Sequence, residues 1–279
     1  MHSMLGLGCG LLGDVHLPVR QDLERSAEGR WLEVSLAILR QNPFLNWGSI
    51  ACFGDSISTA SAYGDPQELL RIADQERTEL RISSVQKVAG LGFRMGYLGG
   101  DQMGTDQMLP HILENLCEDP TTYPWAAVIM LGTNDCQFFN FSREESLQSW
   151  IDEVDAITGS LRSAGIIPIL STIPPITKEG YCESNREYIN YVIADYALRQ
   201  GFPLRIVANP DAFLHSQVRT YPLQGLSSVI PVLPTENLIE PEWPNYQDGI
   251  HIPVNMYDRI NRFTLQMLDV MFQTLSVRL

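Results

Sequence analysis

The stretch AAVIMLGTND, Ala126–Asp135, decides the class of fold that this chain of 279 residues adopts. Its apolar part, Ala126–Leu131, is uninterrupted and is followed at once by a glycine and three polar residues. A continuous apolar run is typical of a strand buried on both faces, as in a parallel sheet. The polar residues after it, among them Asn134, therefore stand where the strand leaves the core.

Strand-like and helix-like segments alternate on both sides of this stretch. The predicted strands are Ile50–Phe53, Leu80–Val88, Ala126–Leu131, Ile166–Ile173 and Leu204–Val207. The predicted helices are residues 17–41, Pro66–Glu76, a segment opened by the capping box Ser142 and Glu145, Ser184–Arg199, and Val254 to about Val277. Pro168 is unusual inside a predicted strand, because proline has no N–H to donate to a neighbouring strand. The alternation predicts a mostly parallel α/β sheet with both faces covered.

We expect two parts in the chain: an N-terminal helical extension over residues 1–47 that packs on the main domain, and the main domain over residues 48–279. The N-terminal segment Gly8–Gly13 has the spacing of a dinucleotide-binding fingerprint. That motif requires a strand before it and a helix after it, and only seven residues precede it here. We interpret it as a chance match.

The composition excludes several classes of function. The formal net charge of −14 would repel nucleic acid and anionic membranes. No window approaches the roughly 20 apolar residues of a membrane span, and the first residues lack the basic start of a signal peptide. The five cysteines show no C-x-x-C spacing, so we expect neither a disulfide framework nor a zinc site. A cytoplasmic location is the default expectation.

Three separated polar stretches would supply the groups for acyl transfer to a serine if they met. They are Gly54–Ser58, Gly132–Asp135 and Asp248–His251. The first two follow predicted strands, and the carboxyl ends of parallel strands lie at one edge of a sheet. We therefore expect Ser56 and Asn134 to emerge at the same edge.

Each of these polar stretches holds a residue that is interpreted either as catalytic or as purely structural. Ser56 is the candidate nucleophile, although a serine after a strand can simply cap a helix. His251 is the candidate base, oriented by Asp248 three residues before it; the alternative is a loop that caps the last helix. Asn134 would direct its amide at the oxyanion, or else would stabilise a turn.

On these three stretches the chain resembles the SGNH/GDSL hydrolases, over roughly residues 48–278. The resemblance implies a three-layer α/β/α, flavodoxin-like fold with a five-stranded parallel sheet. It also implies that a glycine amide joins Ser56 and Asn134 in the oxyanion hole. Gly104 is our choice for that glycine and Gly100 the alternative, with Gly96 and Gly99 also nearby. No metal and no cofactor are expected.

We predict a serine hydrolase that cleaves carboxylic esters of small molecules. The residues leave other outcomes open: an acyltransferase with an alcohol or sugar acceptor, a carbohydrate O-deacetylase, or a binding protein that keeps the scaffold. Aromatic residues close to the site could line an acyl or sugar pocket or belong to the core: Phe138, Phe139, Trp243 and Tyr246. The sequence does not indicate the acyl chain length or the oligomeric state.

Overall fold

The structure is a computed structural model of the chain. It describes residues 20–59, 65–90, 93–95, 108–116, 119–138, 144–174, 183–205, 207, 250–251 and 254–279. Within some helices the structure describes the backbone alone.

Five parallel strands form one sheet in the order β2-β1-β3-β4-β5. Their bounds are Asn46–Gly54 (β1), Ser84–Ala89 (β2), Pro124–Met130 (β3), Ile167–Ser171 (β4) and Leu204–Arg205 (β5). All seven residues of β3 are buried, as the apolar run Ala126–Leu131 predicts. The predicted three-layer α/β/α fold with a five-stranded parallel sheet is confirmed.

Helices connect the strands and cover the sheet. Their bounds are Arg20–Leu39 (α1), Glu68–Gln75 (α2), Met108–Leu116 (α3), Asp135–Phe138 (α4), Glu144–Ser163 (α5), Glu183–Gln200 (α6) and Val254–Ser276 (α7). Helix α7 packs against α1 and α2, whereas α5 packs against α3 and α6 against α4. Helix α1 contributes buried Trp31, Ile38 and Leu39 to the same hydrophobic core as the strands. The division at residue 47 stays a prediction.

Pro168 lies inside β4, between β3 and β5, and its position explains why the sheet accepts it. The amides of Leu170 and Thr172 point toward the β5 side, where they donate to Pro203 and Arg205. By the alternation of a strand, position 168 faces the same side. Strand β5 begins only opposite Leu170, so no acceptor on β5 lies beside the missing N–H.

Strands β2 and β4 are shorter than the sequence predicts, and β5 also ends earlier, at Arg205 rather than Val207. At the start of the predicted strand, the Leu80 amide donates to Asp269 Oδ1 of α7 instead of to β1. Strand β4 ends at Ser171 rather than Ile173, because Asn190 of α6 replaces a neighbouring strand. Its side chain accepts from the Ile173 amide at 2.8 Å and donates to the Ile173 carbonyl at 3.0 Å.

Candidate active site

Ser56 begins a single 3-10 turn, Ser56–Ser58, directly after β1 and Asp55. The turn is organised by Asp55, whose Oδ1 accepts from the Ile57 amide at 3.0 Å. The amides of Ser58 and Thr59 are also used within it, by the carbonyls of Asp55 and Ser56. Gly54 allows the close approach, because a Cβ there would lie 2.6 Å from Ser58 Oγ. The sequence therefore forces a tight turn that presents Ser56 at the carboxyl edge of the sheet.

His251 comes 195 positions after Ser56 in the chain, and the fold brings the two side chains together. Its Nε2 lies 2.8 Å from Ser56 Oγ, within hydrogen-bond distance. His251 stands just before α7, and that helix is tied to the serine turn by a hydrogen bond of 2.9 Å between Tyr257 and Ser58. For Nε2 to accept the serine proton, the imidazole must carry its own proton on Nδ1.

Asn134 follows β3 at the same edge, as predicted from the strand ends. The backbone turns at Gly132, which has φ +131°, a conformation that favours glycine. The Asn134 amide donates one hydrogen to the carbonyl of Phe93 at 2.9 Å. An asparagine amide has two such hydrogens, so the contact orients the group and leaves a second donor.

The segment Phe93–Met95 is a support for this loop that the sequence did not reveal. Phe93 accepts from Asn134, and the Met95 amide donates to Asp135 Oδ2 at 3.1 Å. The Phe93 ring stacks on His111 of α3 with 4.6 Å between the ring centroids. No motif marks this segment, because its main-chain atoms make the contacts to the loop.

Asp135 anchors the other side of the Asn134 loop. Its side chain is fully buried, and its Oδ1 accepts from Trp150 Nε1 of α5 at 3.0 Å. Cys136, which follows, is buried and donates its thiol hydrogen to the Gly132 carbonyl. The loop is therefore held by its neighbours on both sides, and Cys136 contributes to packing.

The carboxyl group of Asp55 lies buried beside the candidate nucleophile. Its Oδ2 faces the Thr133 hydroxyl, although neither atom makes a regular hydrogen bond within the described part of the chain. The pKa of Asp55 is raised from 3.8 to about 7, mainly by burial and to a smaller extent by the nearby Asp135 carboxylate. Hydrogen bonding from the Ile57 amide partly opposes this rise.

Several predicted site residues lie outside the described residues. They are Asp248, Gly104, Gly100, Gly96, Gly99, Phe139, Trp243 and Tyr246. Phe138 lies in α4, but its side chain is also outside the description. The roles assigned to these residues stay predictions. The structure brings together Ser56 and His251, and sets Asn134 at the same edge of the sheet.

Two further features bear on the expected chemistry. Within the described ranges, no group of three or more histidine, cysteine, aspartate or glutamate side chains is arranged to hold a metal ion. Among those same ranges, no helix has the length and hydropathy needed to cross a membrane.

The chain is similar to several solved structures. No family model and no curated protein matches the sequence. A candidate acylhydrolase from Bacteroides fragilis matches with a TM-score of 0.51 and 13% identity, over 90% of this chain and 97% of that one. A GDSL-like lipase from Bacteroides thetaiotaomicron has a TM-score of 0.49 and 12% identity, over 94% and 100%. An acetyl-xylooligosaccharide esterase from Geobacillus has 0.47 and 14%, over 81% and 95%.

These identities are too low to transfer an activity, and they bear on the architecture alone. The parallel sheet, its strand order and the similarity to the Bacteroides fragilis structure agree with one another. The chain has an α/β/α fold with a five-stranded parallel sheet, and it shares this fold with the candidate acylhydrolase from Bacteroides fragilis.

Proposed function

We propose that this protein is a serine hydrolase that cleaves carboxylic esters of small molecules through an acyl-enzyme on Ser56. The observation that carries the proposal is the 2.8 Å separation between Ser56 Oγ and His251 Nε2. A serine hydroxyl is a weak nucleophile until an adjacent base accepts its proton. The fold shared with a candidate acylhydrolase is consistent with this chemistry.

Ser56 and His251 together would carry out the acylation step. Ser56 Oγ attacks the ester carbonyl while its proton passes to His251 Nε2. The carbonyl oxygen takes up negative charge, and the intermediate collapses as the alcohol leaves with the proton from His251. Water then attacks the acyl-enzyme, gives its proton to His251, and releases the carboxylic acid as the Ser56 hydroxyl is restored.

The oxyanion needs donors that are already oriented before the reaction. In the proposal these are the Ser56 amide, the second hydrogen of the Asn134 amide and the amide of Gly104. The Phe93 carbonyl supports the role of Asn134 because it fixes the plane of the side chain. Asp248 would accept from His251 Nδ1 and stabilise the imidazolium ion.

The proposal is tested by steady-state hydrolysis of p-nitrophenyl acetate and butyrate. Replacing Ser56 with alanine should abolish turnover above background, with an unchanged circular dichroism spectrum. Ser83→Ala is the matched control, because Ser83 is a serine at the opposite end of the sheet, hydrogen-bonded to the Gly48 carbonyl. Equal activity in the Ser56→Ala and Ser83→Ala variants would contradict the proposal.

A further inference from the structure

Arg205 on β5 is a charged side chain buried beneath α7. It is only 3% exposed, and it extends across the sheet toward β3. Its Nε donates to Ser171 Oγ at 3.0 Å, its Nη1 to Thr264 Oγ1 at 2.9 Å and its Nη2 to Met130 Sδ at 3.2 Å. All three acceptors are neutral, and a guanidinium has two more N–H groups. No carboxylate pairs with Arg205 within the described part of the chain.

A buried positive charge normally requires a negative partner. The nearest ionisable groups do not provide one. Burial raises the pKa of the Cys52 thiol to about 12, and burial likewise raises the pKa of the Tyr257 phenol. Both groups are therefore neutral at pH 7, and the charge of Arg205 is not compensated by either.

A small cavity adjoins the guanidinium. Part of its lining carries polar or sulfur atoms, from Cys52, Ser58, Met130, Arg205, Tyr257 and Asn261, and the rest is apolar, from Phe53, Pro66 and Val128. It has room for about one water-sized sphere. Ser58 and Tyr257 share one hydrogen bond of 2.9 Å, which leaves one of their two hydroxyl hydrogens for another acceptor. The lining thus offers donors and positive charge.

We propose that this cavity is a binding site for one monovalent halide ion, chloride under ordinary conditions, with Arg205 as its charge partner. Chloride is somewhat larger than water, so the lining side chains would have to move slightly to admit it, and it accepts hydrogen bonds without donating any. A water molecule would satisfy the geometry but not the charge. The site includes none of the groups proposed to react, and its lining residues Ser58 and Tyr257 join α7 to the serine turn.

The test is thermal unfolding of the purified full-length protein at constant ionic strength, with sodium chloride exchanged stepwise for sodium gluconate. Constant ionic strength removes the general screening expected for a chain of net charge −14. Specific binding should raise the Tm with chloride by about 3 °C for each tenfold increase above the Kd. Bromide should replace chloride, and crystals grown in bromide should show an anomalous peak in contact with the Arg205 guanidinium.

Variants separate the site from general salt effects. In Arg205→Met, an unbranched apolar side chain replaces the cation, and the halide dependence of the Tm should disappear. Arg40→Met is the control, because Arg40 is exposed at the end of α1 and its loss changes the net charge equally. If Arg205→Met does not fold, the proposal is tested by the Tm of the wild type in chloride and gluconate and by the anomalous bromide peak. A wild-type Tm that is equal in chloride and gluconate, or higher in gluconate, overturns the proposal and indicates water in the cavity.

Discussion

Ser56 Oγ and His251 Nε2 lie 2.8 Å apart although 195 positions separate the two residues in the chain. Two features of the fold produce this proximity. Strand β1 ends just before the turn that begins with Ser56, and α7 begins just after His251. The bond between Tyr257 and Ser58 joins the helix to the turn, so the base and the nucleophile are positioned by the same contact between elements.

Replacing Asn134 with alanine should lower kcat for ester hydrolysis by about 10²–10³, because the change removes one oxyanion donor. The KM should change little, since the donor acts mainly on the charge that develops in the transition state. Steady-state kinetics with p-nitrophenyl butyrate measure both constants. If the amide only braces the loop through Phe93, the variant instead loses thermal stability and keeps its kcat.

Gly132→Ala should destabilise the protein by about 1–3 kcal/mol, because a φ of +131° is strained for a residue with a Cβ. The new Cβ would also lie 3.2 Å from Ile189 Cγ2. Turnover should fall as well, since Asn134 stands two residues later. Urea denaturation gives the free energy of unfolding.

Gly159→Ala is the control for that experiment. Gly159 lies inside α5, and a Cβ there would meet no atom within 4 Å. Alanine should therefore stabilise this helix by up to about 1 kcal/mol without affecting turnover. Equal effects of the two substitutions would contradict the account of the Gly132 turn.

Asp55→Asn should flatten the pH dependence of stability. The carboxyl pKa is 3.8 in the unfolded reference and about 7 in the fold, so the folded state holds a proton that the unfolded state has released. The free energy of unfolding therefore falls as the pH rises from about 4 to 7, by an amount on the order of 4 kcal/mol for this group. Above about pH 7 the Asp55 carboxyl group is ionised in both the folded and the unfolded state, and its loss of stability grows no further.

Asparagine can keep the cap on the Ile57 amide through its own oxygen, and it does not ionise. The variant should therefore equal or exceed the wild type in stability at pH 8, and should gain least at pH 4. Urea denaturation of both proteins across this range isolates Asp55 and its interaction with Asp135, because the remaining groups titrate equally in the two. A variant that loses stability most at pH 8 would contradict the burial of an ionising carboxyl group.

The placement of Ser56 and Asn134 at one edge of the sheet could be predicted, because both residues follow the ends of strands. The buried run before Gly132 and the shorter run before Gly54 are visible in the sequence, and parallel strands bring their carboxyl ends to one edge. The supports of the site were not predictable in the same way. Phe93 and Met95 act through main-chain atoms, and Trp150 reaches Asp135 from a helix whose pattern only indicates burial.

Arg205 and Pro168 are two further residues whose surroundings could not be predicted from the sequence alone. The sequence marks Arg205 as a cation in a short strand, whereas its burial depends on α7 lying across that strand. Pro168 looks unfavourable until the register with β5 is known. Local patterns therefore predict elements and their ends, and long-range contacts determine which polar groups are buried and what they touch.

Covalent labelling with a fluorophosphonate probe tests the central claim most directly. Folded protein is incubated with the probe, digested, and mapped by mass spectrometry, with His251→Ala as a variant that lacks the proposed base. The account predicts one adduct, on Ser56, forming rapidly in the wild type and far more slowly in His251→Ala. Absence of an adduct on Ser56 in folded wild-type protein, or equal labelling rates in the two proteins, would contradict it.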